Sequence, residues 1–297
     1  MNRIALSVFA VCIATVAIAG MPATEPELTA AQIIDKNIAA RGGLDSWRKI
    51  QTMVWVGHIE SANAPAAKMP FALEQKRPNK TRFEIKAQNQ MSQRIFDGKN
   101  GWKVRPSASG KPEVQPFSNE ELGFAHDGQG IDGPLVDYAA KGVAIALEGV
   151  DDVEGHKAYR LNVRLPSGLS HQLWIDAQNF LDIKSGRQIR NTLGQTATVS
   201  VYYRNYQTVE GVKLPFSIET SAETKAPDRM VIDKVALNVP LEDQMFSKPQ
   251  VQAPGRRNGV SVDTRLPPPQ ANPTALAAPS AGQARAKGRP VSPGDAR

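Results

Sequence analysis

The sequence predicts a mainly β fold with a few helices, in which about ten antiparallel strands form one long, twisted sheet. After Gln51, apolar and polar residues alternate with a period of two through most of the chain, which is typical of half-buried strands. Short turn sequences such as Glu210-Gly211 separate the alternating runs, and strands joined by short turns must be antiparallel. The predicted strands are TMVWVGHIE, FALEQKRP, TRFEIKA, SQRIFDG, KAYRLNVRL, SHQLWIDA, FLDIKSGRQI, ATVSVYYRNY, VKLPFSIET and RMVIDKVAL.

Helical signals occur before the first strand and again in the middle of the chain. Thr29 and Gln32 have the spacing of a capping box, the RGG at 41–43 ends that helix, and a shorter helical piece follows at 44–50. Further on, Ser118 is expected to cap a helical turn. Pro134 is expected to begin another helix that extends to residue 142, because proline favours the first helical position.

The apolar inner face of the sheet must be covered, and these few helices are the elements available to cover it. Alternation along the strands predicts the inward-facing side chains. They are Phe83, Ile85, Leu161, Val163, Leu173, Ile175, Phe216 and Ile218.

The chain is expected to have three parts: a signal peptide at 1–19, a β domain at 20–251 and a disordered tail at 252–297. Residues 4–18 are apolar and end near a small-x-small cleavage pattern at 17–19, and this run is shorter than the ~20 residues that span a bilayer. The one cysteine, Cys12, lies within it, so the mature chain would hold no disulfide or thiolate metal site. The tail is rich in Pro, Ala and Gly, a composition that cannot bury enough apolar surface to fold.

The formal net charge of +7 does not indicate a nucleic-acid partner. Seven basic residues but only two acidic ones lie at 250–297. Most of the excess charge therefore belongs to the predicted tail and not to a groove in the folded domain.

Sequence motifs of catalytic and cofactor sites are missing. The four histidines are far apart, and no HExxH, GxxxxGK[ST] or GxSxG motif occurs. Residues 128–133 match GxGxxG, but they lack the preceding apolar strand of a dinucleotide fold. We therefore expect a protein that is not an enzyme, with no catalytic residue, no cofactor and no metal.

Two stretches carry a resemblance to a known family. Lys76-Arg77-Pro78-Asn79, followed about twenty residues later by FDGKNGWKVRP, resembles the KRPN…DGK…W pattern of the periplasmic lipoprotein carriers (LolA/LolB-like). LWIDAQNFLDIKSGRQI and the 239–246 segment, which ends at Phe246, are similar to the later strands and closing phenylalanine of that family. The wider group is that of the outer membrane lipoprotein-sorting proteins.

The resemblance implies an open antiparallel half-barrel of about ten or eleven strands, with helices covering its concave face. It also implies a monomeric periplasmic protein that binds acyl chains of lipoproteins or lipids in an apolar cavity, as a carrier or receptor for sorting to the outer membrane. Membrane-bound transporter or receptor proteins would be its partners. By the same resemblance, Arg77 would clamp the helical lid over the cavity. Where the carriers have apolar residues after this turn, this chain has Lys80 and Thr81.

An acyl carrier needs a dry surface, because exposing a chain of about fifteen methylenes to water costs roughly 12 kcal/mol. The candidate cavity residues are the apolar side chains of the predicted strands, although the same residue types would also fill a packed core. They are Trp55, Phe83, Ile85, Ile95, Trp102, Leu161, Val163, Leu173, Ile175, Phe216 and Ile218.

A second function is compatible with the same fold. An envelope sensor or adaptor could use the half-barrel to bind a regulatory protein partner. An adaptor would normally carry a further partner-binding domain, whereas only the predicted tail follows Val251.

Overall fold

The sheet begins at Thr52, and two helices precede it. The computed structural model describes residues 28–250 except 63, 65, 89, 108–110, 128–129, 191–195 and 223–224. The described residues all belong to one unit of the chain, which spans 1–254. The predicted signal peptide at 1–19 and the predicted tail at 252–297 lie outside the described residues.

Thirteen strands of the described chain form one antiparallel sheet, so the mainly β prediction is confirmed. Their spatial order is β6-β5-β4-β3-β2-β1-β13-β12-β11-β10-β9-β8-β7, and the sheet is open, with β6 and β7 as its edges. The strands are β1 (Thr52–Ser61), β2 (Lys68–Lys76), β3 (Lys80–Ala87), β4 (Gln90–Phe96), β5 (Gly101–Arg105), β6 (Glu113–Pro116), β7 (Ala144–Val153), β8 (His156–Arg164), β9 (Ser170–Asp176), β10 (Asp182–Arg190), β11 (Thr196–Val209), β12 (Val212–Ala222) and β13 (Lys225–Leu237).

The sequence prediction omits three strands, β5, β6 and β7. Strands β5 and β6 have five and four residues, too few for alternation to be clear against the turn residues around them. Strand β7 is an edge strand, and its apolar side chains before the buried Val153 are half-exposed or exposed. A weak apolar pattern is common in edge strands, because only one of their two sides is hydrogen-bonded to a neighbouring strand.

The helices are α1 (Ala30–Ala40), α2 (Leu44–Lys49) and α3 (Asn119–Asp127), and a 3-10 turn covers Asp243–Phe246. The predicted capping box of α1 is confirmed: the Thr29 amide donates to Gln32 Oε1 at 2.9 Å and the Gln32 amide to Thr29 Oγ1 at 3.3 Å. Ser118 caps α3 in the same reciprocal way with Glu121. Local polar side chains thus satisfy N–H groups that a helix start would leave unpaired.

The predicted helix at 134–142 is wrong, because residues 131–142 form successive turns; we call them the 131–142 segment. Asp137 has a φ of +53°, which ends a right-handed helix for a non-glycine residue. The Asp137 carboxylate receives a hydrogen bond from Arg48 Nε at 3.1 Å. This tertiary contact, which joins residues far apart in sequence, outweighs the local helix-start signal of Pro134.

One face of the sheet packs against α1 and α2. Ile33 and Ile34 of α1 belong to a buried cluster with Leu161 and Leu173. Trp47 of α2 belongs to a second buried cluster; the sheet residues in it include Met53, Phe71, Val212, Leu214, Phe216, Ile232, Val235 and Leu237. We call this surface the helix-side face. Its strands bury apolar side chains at alternate positions, which is why the period-two pattern is so clear in the sequence.

The opposite face carries Glu74, whose side chain is buried. Strand register aligns it with Val54 and Arg82. The Arg82 guanidinium lies 3.6 Å away, and neither carboxylate oxygen has a hydrogen-bond partner among the described residues. Burial raises the pKa of Glu74 to about 7, although the Arg82 charge lowers it. A buried carboxylate without hydrogen bonds prefers its neutral form.

This carboxylate makes stability depend on pH. The folded protein holds the proton up to about pH 7, whereas the unfolded chain releases it near pH 4.5, so stability falls as pH rises between these values. As pH rises from 4.5 to 8, we expect the unfolding free energy of the Glu74→Gln variant to increase by about 3 kcal/mol relative to that of the wild type, at about 1.4 kcal/mol per pH unit. Urea unfolding at both pH values measures this change.

Glu148 provides the control, because its side-chain hydrogen bonds from Asn162 and Gln172 lower its pKa. The Glu148→Gln variant should therefore lose stability relative to the wild type as pH rises, the opposite sign. If the stability of the Glu74→Gln variant changes with pH as that of the wild type does, the conclusion that the buried Glu74 carboxyl group is neutral below about pH 7 is wrong.

The C-terminal 3-10 turn is held at the face that carries Glu74. Asp243 forms ion pairs with Lys76 at 2.8 Å and with Lys80 at 3.0 Å. These two lysines are paired in register and have the same strand parity as Glu74, so all three share a face. Phe246 at the end of the turn is fully buried. Lys80, which departs from the carrier pattern, thus anchors the end of the domain.

Candidate functional site

A cavity of about 370 Å³ lies between the helix-side face and the start of the 131–142 segment. Seven apolar side chains of the sheet line it: Trp55, Leu73, Leu173, Leu214, Pro215, Ile218 and Met230. Ile131, Pro134 and Leu135 line it from the 131–142 segment. The volume falls within the range of about 300–1,000 Å³ that is usual for small-molecule sites.

The predicted cavity residues do not all meet at this site. Trp55, Leu173 and Ile218 line the cavity. Leu161, Val163 and Ile175 have exposures of 0% and belong to the cluster that contains α1. Phe216 is buried in the cluster that contains Trp47. These four side chains therefore fill the space between sheet and helices.

Phe83 and Ile85 line a second, more open cavity of about 460 Å³, together with Arg94 and Lys103. Glu121 of α3 forms ion pairs with both cations, at 3.0 Å and 2.9 Å. A charged wall of this kind leaves this cavity less suited to hydrocarbon than the one lined by Trp55.

Ile95 and Trp102 require a correction, because the register places them on the opposite face. Ile95 is aligned with Arg82 and with Trp102, whereas Phe83 is aligned with Arg94. Residues aligned across strands share a face. The prediction placed Ile95 and Trp102 among the cavity residues, because alternation alone does not show which of the two faces carries the cavity.

Arg77, the residue predicted to act as a clamp, contacts both the end of α2 and the 131–142 segment. Its Nε donates to the carbonyl of Ile50 at 2.6 Å, and Nη2 donates to the carbonyl of Trp47 at 3.0 Å. Nη2 also donates to Asp132 Oδ2 at 2.7 Å. One guanidinium thus joins the end of α2 to the 131–142 segment, using the fixed geometry of its several donors.

Sequence reasoning missed three residues that complete this junction. Asn79 Nδ2 donates to the carbonyls of Ala125 and His126 at 3.1 and 3.2 Å, near the end of α3. Lys141 Nζ donates to Asp132 Oδ1 at 2.7 Å, so the buried carboxylate has two cationic partners. Asn79 could have been found from the sequence, since it belongs to the RPN motif at 77–79. No sequence pattern near Asp132 indicates which cations pair with it.

Part of the cavity wall is polar, and we call its members Arg41, Asp182, Ser185, Tyr203 and Tyr206 the polar patch. Arg41 Nη1 lies 3.6 Å from Asp182 Oδ2, and Asn37 Nδ2 donates to Asp182 Oδ1 at 3.1 Å. Burial raises the pKa of Asp182, while Arg41 and the Asn37 hydrogen bond lower it. The negative charge of Asp182 is therefore disfavoured despite its cationic neighbour.

The hydroxyl groups of the polar patch face the same region. Tyr203 Oη lies 3.0 Å from Ser185 Oγ, and Tyr206 Oη donates to the carbonyl of Asp182 at 2.9 Å. Burial raises the pKa of both tyrosines, so both remain neutral hydroxyl groups. His171 also lines the cavity, and burial together with the Arg187 charge lowers its pKa, although Asp127 opposes this.

Among the described residues, no group of three or more His, Cys, Asp or Glu side chains is placed to hold a metal ion. No helix in the described part of the chain has the length and hydropathy needed to cross a membrane.

No family model and no curated protein matches the sequence, but solved structures match the fold. An outer membrane lipoprotein-sorting protein domain from Vibrio parahaemolyticus is 12% identical with a TM-score of 0.51, covering 73% of this chain and 96% of that one. A DUF1329 family protein from Desulfovibrio piger is 11% identical with a TM-score of 0.50, covering 74% and 98%. A LolA superfamily protein from Nitrosomonas europaea is 18% identical with a TM-score of 0.47, covering 75% and 99%. The chain therefore shares its fold with the lipoprotein-sorting protein domain and with the DUF1329 family protein.

Proposed function

We propose that this protein is a non-enzymatic periplasmic carrier or receptor that binds acyl chains of lipoproteins or lipids in the cavity lined by Trp55. The observation that carries the proposal is the cavity of about 370 Å³ against the apolar helix-side face. The fold shared with the lipoprotein-sorting protein domain supports it. Hydrocarbon would bind there because its removal from water gains about 0.8 kcal/mol per methylene.

In this proposal α1, α2 and the 131–142 segment form the cover of the cavity, and Arg77 holds the cover in place. The Arg77 contacts with Ile50, Trp47 and Asp132 support this role. Ile131 and Leu135 would contact the acyl chain from the side of the cover. Cargo could enter or leave when the contacts of Asp132 open, without a cofactor or a covalent step.

The direct test is native mass spectrometry, with lipid extraction, of protein purified from the bacterial envelope. Co-purified acyl lipid or lipoprotein is the expected result. A protein that is free of lipid and is captured together with a regulatory protein would contradict the carrier and favour an envelope sensor or adaptor.

A cavity-filling variant tests the site. Ile218 lines the cavity and is only partly buried, so the Ile218→Trp side chain would occupy ligand space. We expect at least about tenfold weaker binding of a fluorescent fatty acid, corresponding to the loss of about two methylene contacts. Fluorescence titration measures this.

The matched control is Val150→Trp in β7, since Val150 is 53% exposed and does not line the cavity. It should bind the probe like the wild type. Equal affinity for both variants would place the ligand elsewhere.

A further inference from the structure

The polar patch lies within a cavity whose other lining side chains are mostly apolar, with Gln75 and His171 as the polar exceptions, and this combination indicates what kind of ligand fits. Hydrocarbon alone gains nothing from Arg41, Tyr203 or Ser185, whose polar groups cost free energy when they are covered without partners. A ligand with a polar head group at the end of its chain would satisfy both parts of the lining.

Arg41 has unused hydrogen-bonding capacity at this site. Its guanidinium lies 4.4 Å above the Trp47 ring and 3.6 Å from the Asp182 carboxylate. In the part of the chain that the structure describes, the Arg41 side chain donates no hydrogen bond within 3.5 Å. Five N–H donors are thus held in place by stacking and by charge, and they are the donors that suit a carboxylate.

The charge around the patch also favours an anion. Asp182 is its one acidic side chain, and Asn37 already donates to its Oδ1. Tyr206 Oη already donates to the Asp182 carbonyl, whereas the hydrogen bond between Tyr203 and Ser185 leaves one of their two hydroxyl protons free to donate to a ligand. The patch as a whole carries no net negative charge, so it does not repel an anionic head group.

We propose that the polar patch binds the carboxylate of a single-chain fatty acid, with Arg41 as the main donor, while the chain lies against Trp55, Ile218 and Met230. This inference rests on the proposed function and makes it more specific, because a carrier of neutral acyl groups would need no cation in its cavity. The hydroxyl pair of Tyr203 and Ser185 supplies one further donor beside the head group.

The test compares laurate with methyl laurate at pH 8, by isothermal titration calorimetry of the full chain. The two ligands have the same acyl chain and differ in the charge of the head group. We expect wild-type protein to bind laurate about tenfold more tightly, the effect of one charge-assisted hydrogen bond in a buried site. The Arg41→Met variant should lose this preference, so that its affinities for laurate and methyl laurate become equal.

Arg229→Met is the matched control, because Arg229 is 53% exposed and does not line the cavity; it should keep the preference. Equal binding of both ligands by wild-type protein overturns the head-group site and leaves the proposed acyl binding intact. Binding of neither ligand overturns both proposals. Comparing the binding of laurate and methyl laurate to wild-type protein tests the head-group site even if the Arg41→Met variant fails to fold.

Discussion

The Arg77→Leu variant should lose about 3 kcal/mol of unfolding free energy. Asp132 has a side-chain exposure of 2%, and removal of one partner from a buried ion pair costs about 3–5 kcal/mol. Lys141 still contacts Asp132 at 2.7 Å, which places the expected loss at the lower end. Urea unfolding of the variant and the wild type measures it.

The control for this prediction is Arg48→Leu. Arg48 also pairs with an aspartate of the 131–142 segment, Asp137, but its side chain is 53% exposed, and exposed pairs contribute much less to stability than buried ones. Equal losses in the two variants would show that burial of Asp132 is not the source of the effect.

If Arg77 clamps the cover, the Arg77→Leu variant should also show faster hydrogen exchange in the part of the chain that Arg77 holds. Backbone amides of the 131–142 segment should exchange with solvent faster, whereas those of β8 and β9 should change little. Hydrogen exchange read by mass spectrometry distinguishes local release of the cover from general destabilisation. Uniform acceleration across the sheet would remove the clamp role.

The Phe246→Ala variant should lose about 3–5 kcal/mol of unfolding free energy, which is the usual cost of removing a buried phenylalanine side chain. Phe246 has an exposure of 0%. The measurement is urea unfolding, with Met91→Ala as the control, since Met91 is 46% exposed and its truncation should change stability by about 0.5 kcal/mol or less.

The Phe246→Ala variant also distinguishes the two faces of the sheet. The turn that carries Phe246 is anchored at Lys76 and Lys80, on the face opposite the cavity. The folded fraction of the variant should therefore bind the fluorescent fatty acid with wild-type affinity. Weaker binding would show that the C-terminal turn contributes to the ligand site.

Sequence reasoning went furthest where the controlling interactions are local. Thr29 with Gln32 and Ser118 with Glu121 form the reciprocal caps that their spacing indicates. The Glu210-Gly211 turn joins two neighbouring strands as expected. The motif also singled out Arg77, whose guanidinium donates to the carbonyls of Trp47 and Ile50 at the end of α2.

By itself, the sequence determined the antiparallel sheet, the starts of α1 and α3 and the alternation of apolar side chains, because each depends on residues within a few positions of one another. Only the tertiary structure decided that Ile95 and Trp102 lie on the opposite face, that 131–142 forms turns, and that Arg41, Asp182 and Tyr203 meet in one cavity. The physical reason is that strand register and ion pairs such as Arg77 with Asp132 join residues far apart in the chain, so no local pattern encodes them.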